Sequence, residues 1–142
     1  MPITNAHADD VLKLFFNSTA LTLPTGWRLS LHTADPGAGG SQNTSEVSYL
    51  GYTRPLVGRT ATQWTVAAGP PGVWVATLQV KVEFPQVTSA VGMPVLVTHM
   101  GIGDSSSGAG RLRWRCPVGL TLNNGVTPRL IEGTQLYLCA CD

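Results

Sequence analysis

Charge is what this chain has least of. Asp, Glu, Lys and Arg together make up 12% of its 142 residues, about half the usual ~25%, while hydrophobic residues make up 43%. A disordered chain shows the reverse balance. The shortage points to a folded domain with part of its surface covered by neighbours, because a domain of this length cannot bury everything. Net charge is +1, so no global field steers the chain to nucleic acid or anionic lipid, and neither is expected as a partner. Long apolar runs are missing too: no stretch of ~18 such residues exists to span a bilayer, and no basic segment followed by an apolar core opens the sequence. The expectation is a mature chain beginning near Met1, made and kept in a cytoplasm.

Cysteine is sparse, and the set Cys116, Cys139 and Cys141 cannot all pair. On a strand Cys139 and Cys141 point to one face and are poorly placed for a bridge. Free, partly buried thiols are expected. Zinc would need a fourth ligand and a CxxC-like spacing, and neither is present. His7, His32 and His99 lie far apart, whereas a metal-binding jelly roll wants two histidines two residues apart with a glutamate close behind. His32 reads as a surface histidine on the outward side of its strand. Among the few acids, Asp35, Glu46 and Asp104 sit in or beside loops, but nothing singles out the carboxylate pair a glycosidase needs. There is no GxSxG elbow, and no cysteine lies near a histidine. Gly101-Ile102-Gly103 is not followed by a helix and is no dinucleotide fingerprint. No catalytic residue, metal or cofactor is expected, and the chain does not read as an enzyme.

What is present is mainly β. One segment reads as helix, Ala6 to Asn17 capped by Asn5, with Asp9 and Asp10 in its favourable first turns. Its stripe of Ala8, Val11, Leu12 and Phe15, widened by Leu14 and Phe16, predicts packing against the sheet or into a neighbouring subunit. Period-two patterning then predicts strands at 27–32, 52–60, 63–68, 73–84, 94–102, 112–116, 126–131 and 134–141. In the last of these Leu136, Leu138 and Ala140 face inward. In the longest, Trp74, Ala76, Leu78, Val80, Val82 and Phe84 face one way. Trp27, Trp74 and Trp114 are assigned to the core, and Trp64 less securely, with an exposed tryptophan platform for sugar as the alternative. About eight strands without intervening helices predict an all-β, antiparallel, jelly-roll-like sandwich with one short N-terminal helix. The whole chain, 1–142, reads as a single domain, with helix and connection over 1–26 and sandwich over 27–142.

Two features invite a partner. Between Leu29 and Pro55 a strand breaks at Asp35-Pro36 into a Gly/Ser/Asn/Thr loop, which returns through Glu46, Tyr49, Tyr52 and Arg54. It holds no ligand set or nucleophile, so it reads as a contact loop, expected to be ordered mainly by another chain. Arg111, Arg113 and Arg115 alternate along one strand and share a face. They suit acidic partner side chains or water better than nucleic acid.

The strings LHTADPGAGGSQNTSEVSYLGYTR, VEFPQVTS, VTHMGIGDSSSGAGRLRW and GTQLYL together resemble a family of small tailed-phage virion proteins, often described as tail-fibre-like. Some members are similar to capsid cement, or decoration, proteins of short-tailed phages. The resemblance covers residues 27 to 140. It implies a jelly-roll-like sandwich that assembles, as a homodimer or trimer, on the outside of an icosahedral head in the host cytoplasm, clamping neighbouring major capsid proteins. The alternative is a tail-associated receptor- or carbohydrate-binding module. Leu31, His32, Thr33, Asp35, Pro36, Gly37, Glu46, Tyr49, Tyr52 and Arg54 carry over only as family-typical loop residues. Expected interface residues are Asp35, Pro36, Glu46, Tyr49, Tyr52, Arg54, Arg111, Arg113 and Arg115, with Leu12, Phe15 and Phe16 of the helix. Removing the helix is expected to impair assembly more than folding.

Overall fold

A computed structural model describes residues 3–139. Helix α1 (Asn5–Phe16) precedes strands β1 (Gly26–His32), β2 (Leu56–Gly58), β3 (Trp64–Ala68), β4 (Val73–Leu78), β5 (Val82–Glu83), β6 (Val95–Gly103), β7 (Leu112–Leu122), β8 (Arg129–Leu130) and β9 (Gln135–Cys139). They form a four-stranded sheet in the order β2-β1-β6-β7, a three-stranded sheet β3-β4-β9 and a two-stranded ribbon β5-β8. Every pairing is antiparallel. Leu29 and Leu31 of β1, Val97 and Ile102 of β6, Leu78 of β4, Val82 of β5 and Leu136 of β9 share one buried cluster, so the sheets close over a common core. The chain is an all-β antiparallel sandwich with one short N-terminal helix, as its strand spacing predicts.

Three boundaries differ from the periodicity for local reasons. The strand expected over 73–84 divides, because the Gln79 amide donates to Gln63 O at 2.9 Å and the chain then leaves the β3-β4-β9 sheet to pair with β8. The strand expected at 112–116 runs on to Leu122. Pro117 has no amide to donate, and a register shift between Val97 and His99 opposite it lets the ladder continue past it. The strand expected at 52–60 shrinks to β2, since Tyr52 and Arg54 are committed to side-chain bonds.

Helix α1 begins a residue earlier than its pattern suggests. Thr4, extended, occupies the cap position. Its hydroxyl donates to Leu112 O and its amide to Arg113 O, stitching the helix start to β7 instead of capping it. Asp10 is the buried residue of the helix, one turn beyond the start.

Two burial assignments are reversed. Trp74 is 57% exposed, because Val75 takes the inward position in the first half of β4 and Trp74 turns the other way. His32 and Ser30 are fully buried rather than outward, since the loop after β1 folds back over that face. Ala140 and Cys141 lie outside the described residues, so the inward place assigned to Ala140 and the state of Cys141 do too.

Candidate functional site

The loop after β1 is held by its own chain. Asp35 accepts the Gly37 amide at 2.8 Å, forming a local turn. Pro36 is buried. Gln42, fully buried, donates from Nε2 to Arg28 O at 3.1 Å and accepts the Ser105 amide on Oε1 at 2.9 Å. Its own amide donates to Gly110 O at 2.9 Å, and the Asn5 amide donates to Ala38 O at 2.9 Å. The loop therefore packs between β1, the 104–110 segment and the helix start. These internal bonds hold the loop within its own chain, against the expectation that another chain mainly orders it.

Glu46, Tyr52 and Arg54 form one network. Arg54 meets the Glu46 carboxylate through Nε at 2.7 Å and Nη2 at 2.6 Å, a two-pronged pair. The same guanidinium donates to Ser105 O at 3.0 Å and Gly108 O at 2.8 Å. Tyr52 donates to Glu46 at 2.9 Å and accepts the Leu31 amide; burial pushes its phenol pKa upward. Tyr49 donates to Pro85 O at 2.7 Å, and burial pushes it up to about 12. Arg54 is only 3% exposed. Expected at an interface, it instead ties two loops to the sandwich.

The arginine row also finds partners within the chain. Arg113 is buried, and its guanidinium pairs with Asp10 of α1 and, at 3.3 Å, with Asp104. Arg111 reaches Asp10 at 2.9 Å, and Arg115 reaches Asp35 at 2.5 Å. Burial alone would raise the Asp10 pKa, but the bond and charge of Arg113, with Arg111, hold it below the ordinary carboxylate value. These guanidinia find their acids inside the chain, which takes Arg113 off the surface and leaves Arg111 half-exposed at the helix edge. Nothing in the spacing of Asp10, Asp104 or Gln42 marks them as the partners. Their role follows from where the loops and helix return.

Ser30 and His32 place a hydroxyl 2.9 Å from an imidazole, the geometry of a nucleophile and base. Both are sealed from solvent. His32 Nδ1 donates to Thr44 O at 2.8 Å, so Nε2 accepts from Ser30, and burial holds the ring pKa below its ordinary value. Their work is to fasten the loop. Among the described residues no group of three His, Cys, Asp or Glu side chains is placed to hold a metal ion, and no helix is long and apolar enough to cross a membrane.

Two clusters stand out among the exposed apolar side chains of the described residues. Leu12, Phe15 and Phe16 on α1 are 57%, 74% and 78% exposed. The helix packs on the sheet at β7, through Thr4, His7 and Asp10, as one of its two expected packings requires, and leaves its apolar end outward. The second feature is a groove of about 560 Å³ between the β1/β7 and β3-β4-β9 sheets, into which Trp27, Trp64, Trp74 and Trp114 all project with Tyr137 and Arg59. Trp27 meets Trp114 edge-on at 5.8 Å, and Arg59 lies 5.5 Å over the Trp27 ring. His7 of α1 lies 4.4 Å from the Trp114 ring.

Residues 2–134 match the family described as Podophage GP4 fiber I protein gp80. The chain belongs to that family. No curated protein matches the chain. Membership in the gp80 family makes it a bacteriophage virion structural protein, which agrees with the phage resemblance of residues 27–140. The pairing of a family of structural proteins with a sandwich whose arginine clusters meet acids of the same chain directs attention to the exposed apolar surface.

Proposed function

We propose that this gp80-family chain is a docking subunit that binds the outside of an icosahedral phage head and clamps neighbouring major capsid proteins. The observation that carries the docking role is the exposed end of α1. Burying Phe15 and Phe16 against a partner is worth roughly 1.5–3 kcal/mol for each side chain, and the helix that presents them is anchored to β7 through Thr4 and Asp10. Such a patch on a rigid support suits an ordinary protein interface, and many copies on a lattice turn modest contacts into a strong clamp. The head is favoured by the likeness to cement proteins and by the fold, a compact sandwich without a repetitive shaft. Self-association as a dimer or trimer belongs to the same reading, with the α1 end of one copy available to another.

A second reading is a tail-associated receptor- or carbohydrate-binding module, favoured by the fibre designation of the family. Mixing purified chain with heads that lack it separates the two. Stoichiometric binding that raises the heat resistance of the heads supports the clamp. An absence of saturable binding to heads refutes it.

A further inference from the structure

We propose that the tryptophan-lined groove between the two sheets binds an acidic oligosaccharide. A sandwich with a core this apolar has room to swallow its tryptophans, and indoles are highly buried on average. Here all the tryptophans, Trp27, Trp64, Trp74 and Trp114, turn toward one groove. Its volume of about 560 Å³ falls in the range of preformed small-ligand sites, which are mostly apolar and carry a few placed polar groups.

Sugar rings have apolar C–H faces and hydroxyl edges. The indoles and Tyr137 offer flat surfaces for the faces, in the way aromatic side chains join an apolar body to a polar handle. For the edges, the wall holds an unspent donor: Trp64 Nε1–H is buried with no partner among the described residues. A buried donor of this kind requires an acceptor, and a hydroxyl oxygen supplies one.

Charge complementarity sets the acidic class. Among the described residues no carboxylate lines the groove. Arg59 stands at its edge with a donor bond to Pro24 O at 3.0 Å and the Trp27 face beneath it. In contrast to Arg54, Arg111, Arg113 and Arg115, it has no acid within ion-pair distance among the described residues. A guanidinium held over an aromatic face is preorganised to pair, two-pronged, with the carboxylate of a sugar seated on the neighbouring indoles. The proposal holds wherever on the virion the chain sits, so its failure leaves the head-docking reading untouched.

The test uses the tryptophans as reporters. Purified chain is titrated with a tetrasaccharide of alternating glucuronic acid and N-acetylglucosamine, and separately with the neutral tetrasaccharide of N-acetylglucosamine. The expected result is a saturable change in tryptophan emission with the acidic sugar and affinity at least about tenfold weaker for the neutral one, a gap of about 1.4 kcal/mol. Trp74→Ala should weaken the acidic sugar about tenfold, and Arg59→Ala should abolish the preference for acid over neutral. Both side chains are exposed, so circular dichroism should match the parent; should Trp74→Ala not fold, Arg59→Ala decides alone. No saturable change, equal affinity for the two sugars, or a preference that survives Arg59→Ala would overturn the proposal. So would displacement of environment-sensitive dye from the groove by an apolar peptide but not by the acidic sugar.

Discussion

Arg113 and Asp10 show how single residues settle the character of this chain. Both are buried, and each satisfies the other. Removing Arg113 leaves Asp10 with Arg111 alone and takes from Asp104 its cation, so the loss lies at or below the about 3–5 kcal/mol of breaking a buried pair. Arg113→Met should therefore lower the free energy of unfolding in urea by that order, and Asp10→Leu added to Arg113→Met should restore most of it. His32 gives a pH signature. Burial, partly offset by its bond to Thr44, keeps the ring below its ordinary value of 6.5 in the folded chain. Unfolding releases it to take up a proton. Stability from this residue is thus complete above that value and is lost as pH falls below it, where the unfolded chain binds the proton and the folded chain does not. His7 shifts the same way, through burial and then Arg113, and adds to the slope. His32→Asn, which keeps a donor for Thr44 O without titrating, should flatten the dependence of unfolding free energy on pH between about pH 5 and 7. At this scale the sequence is least legible. Alternation reads Arg111, Arg113 and Arg115 as one row, but it carries no information on the register shift opposite Arg113 or on which acids return to meet them. His32 looks outward by the same alternation, and only the loop that folds over it makes it interior.

At the scale of elements, the loop after β1 and the helix trade roles. Gln42 makes the loop part of the fold. Gln42→Ala leaves the Arg28 carbonyl and the Ser105 amide without partners and should cost about 1–3 kcal/mol, with faster hydrogen exchange at Ser105. Helix α1 has a polar anchor and an apolar free end. Deleting it removes Asp10 as well as Phe15 and strands Arg113, so deletion disturbs folding and assembly together. Phe15→Ser with Phe16→Ser isolates the exposed end: unfolding free energy should change by no more than about 0.5 kcal/mol for each exposed position, while binding to heads falls. Melting curves and head-binding assays on that variant check both halves. Strand existence was readable from period two throughout. Strand ends were not, where Pro117 is carried by a register shift and where the chain after Leu78 changes sheets, since both depend on neighbours distant in sequence. Trp74 illustrates the limit. Its apolar character assigns it to the core, but the groove, which no local pattern reveals, takes it.

For the whole molecule, one core shared by strands of all the sheets predicts a single cooperative unfolding transition over the full chain, with tryptophan emission and far-ultraviolet dichroism coincident in urea. Two separated transitions would show that the helix and connection form a unit apart from the sandwich. The scarcity of charge now has a physical account. Most of the arginines form ion pairs inward, and what faces outward is the greasy end of α1 and an aromatic groove. Under the proposed docking role, this surface completes its packing on a partner. The measurement that tests this most directly is an image of the virion at a resolution that traces side chains. The account predicts copies of this chain on the head lattice, with Leu12, Phe15 and Phe16 buried against a major capsid protein or another copy. Copies confined to the tail, or an α1 end facing solvent on the head, would contradict it.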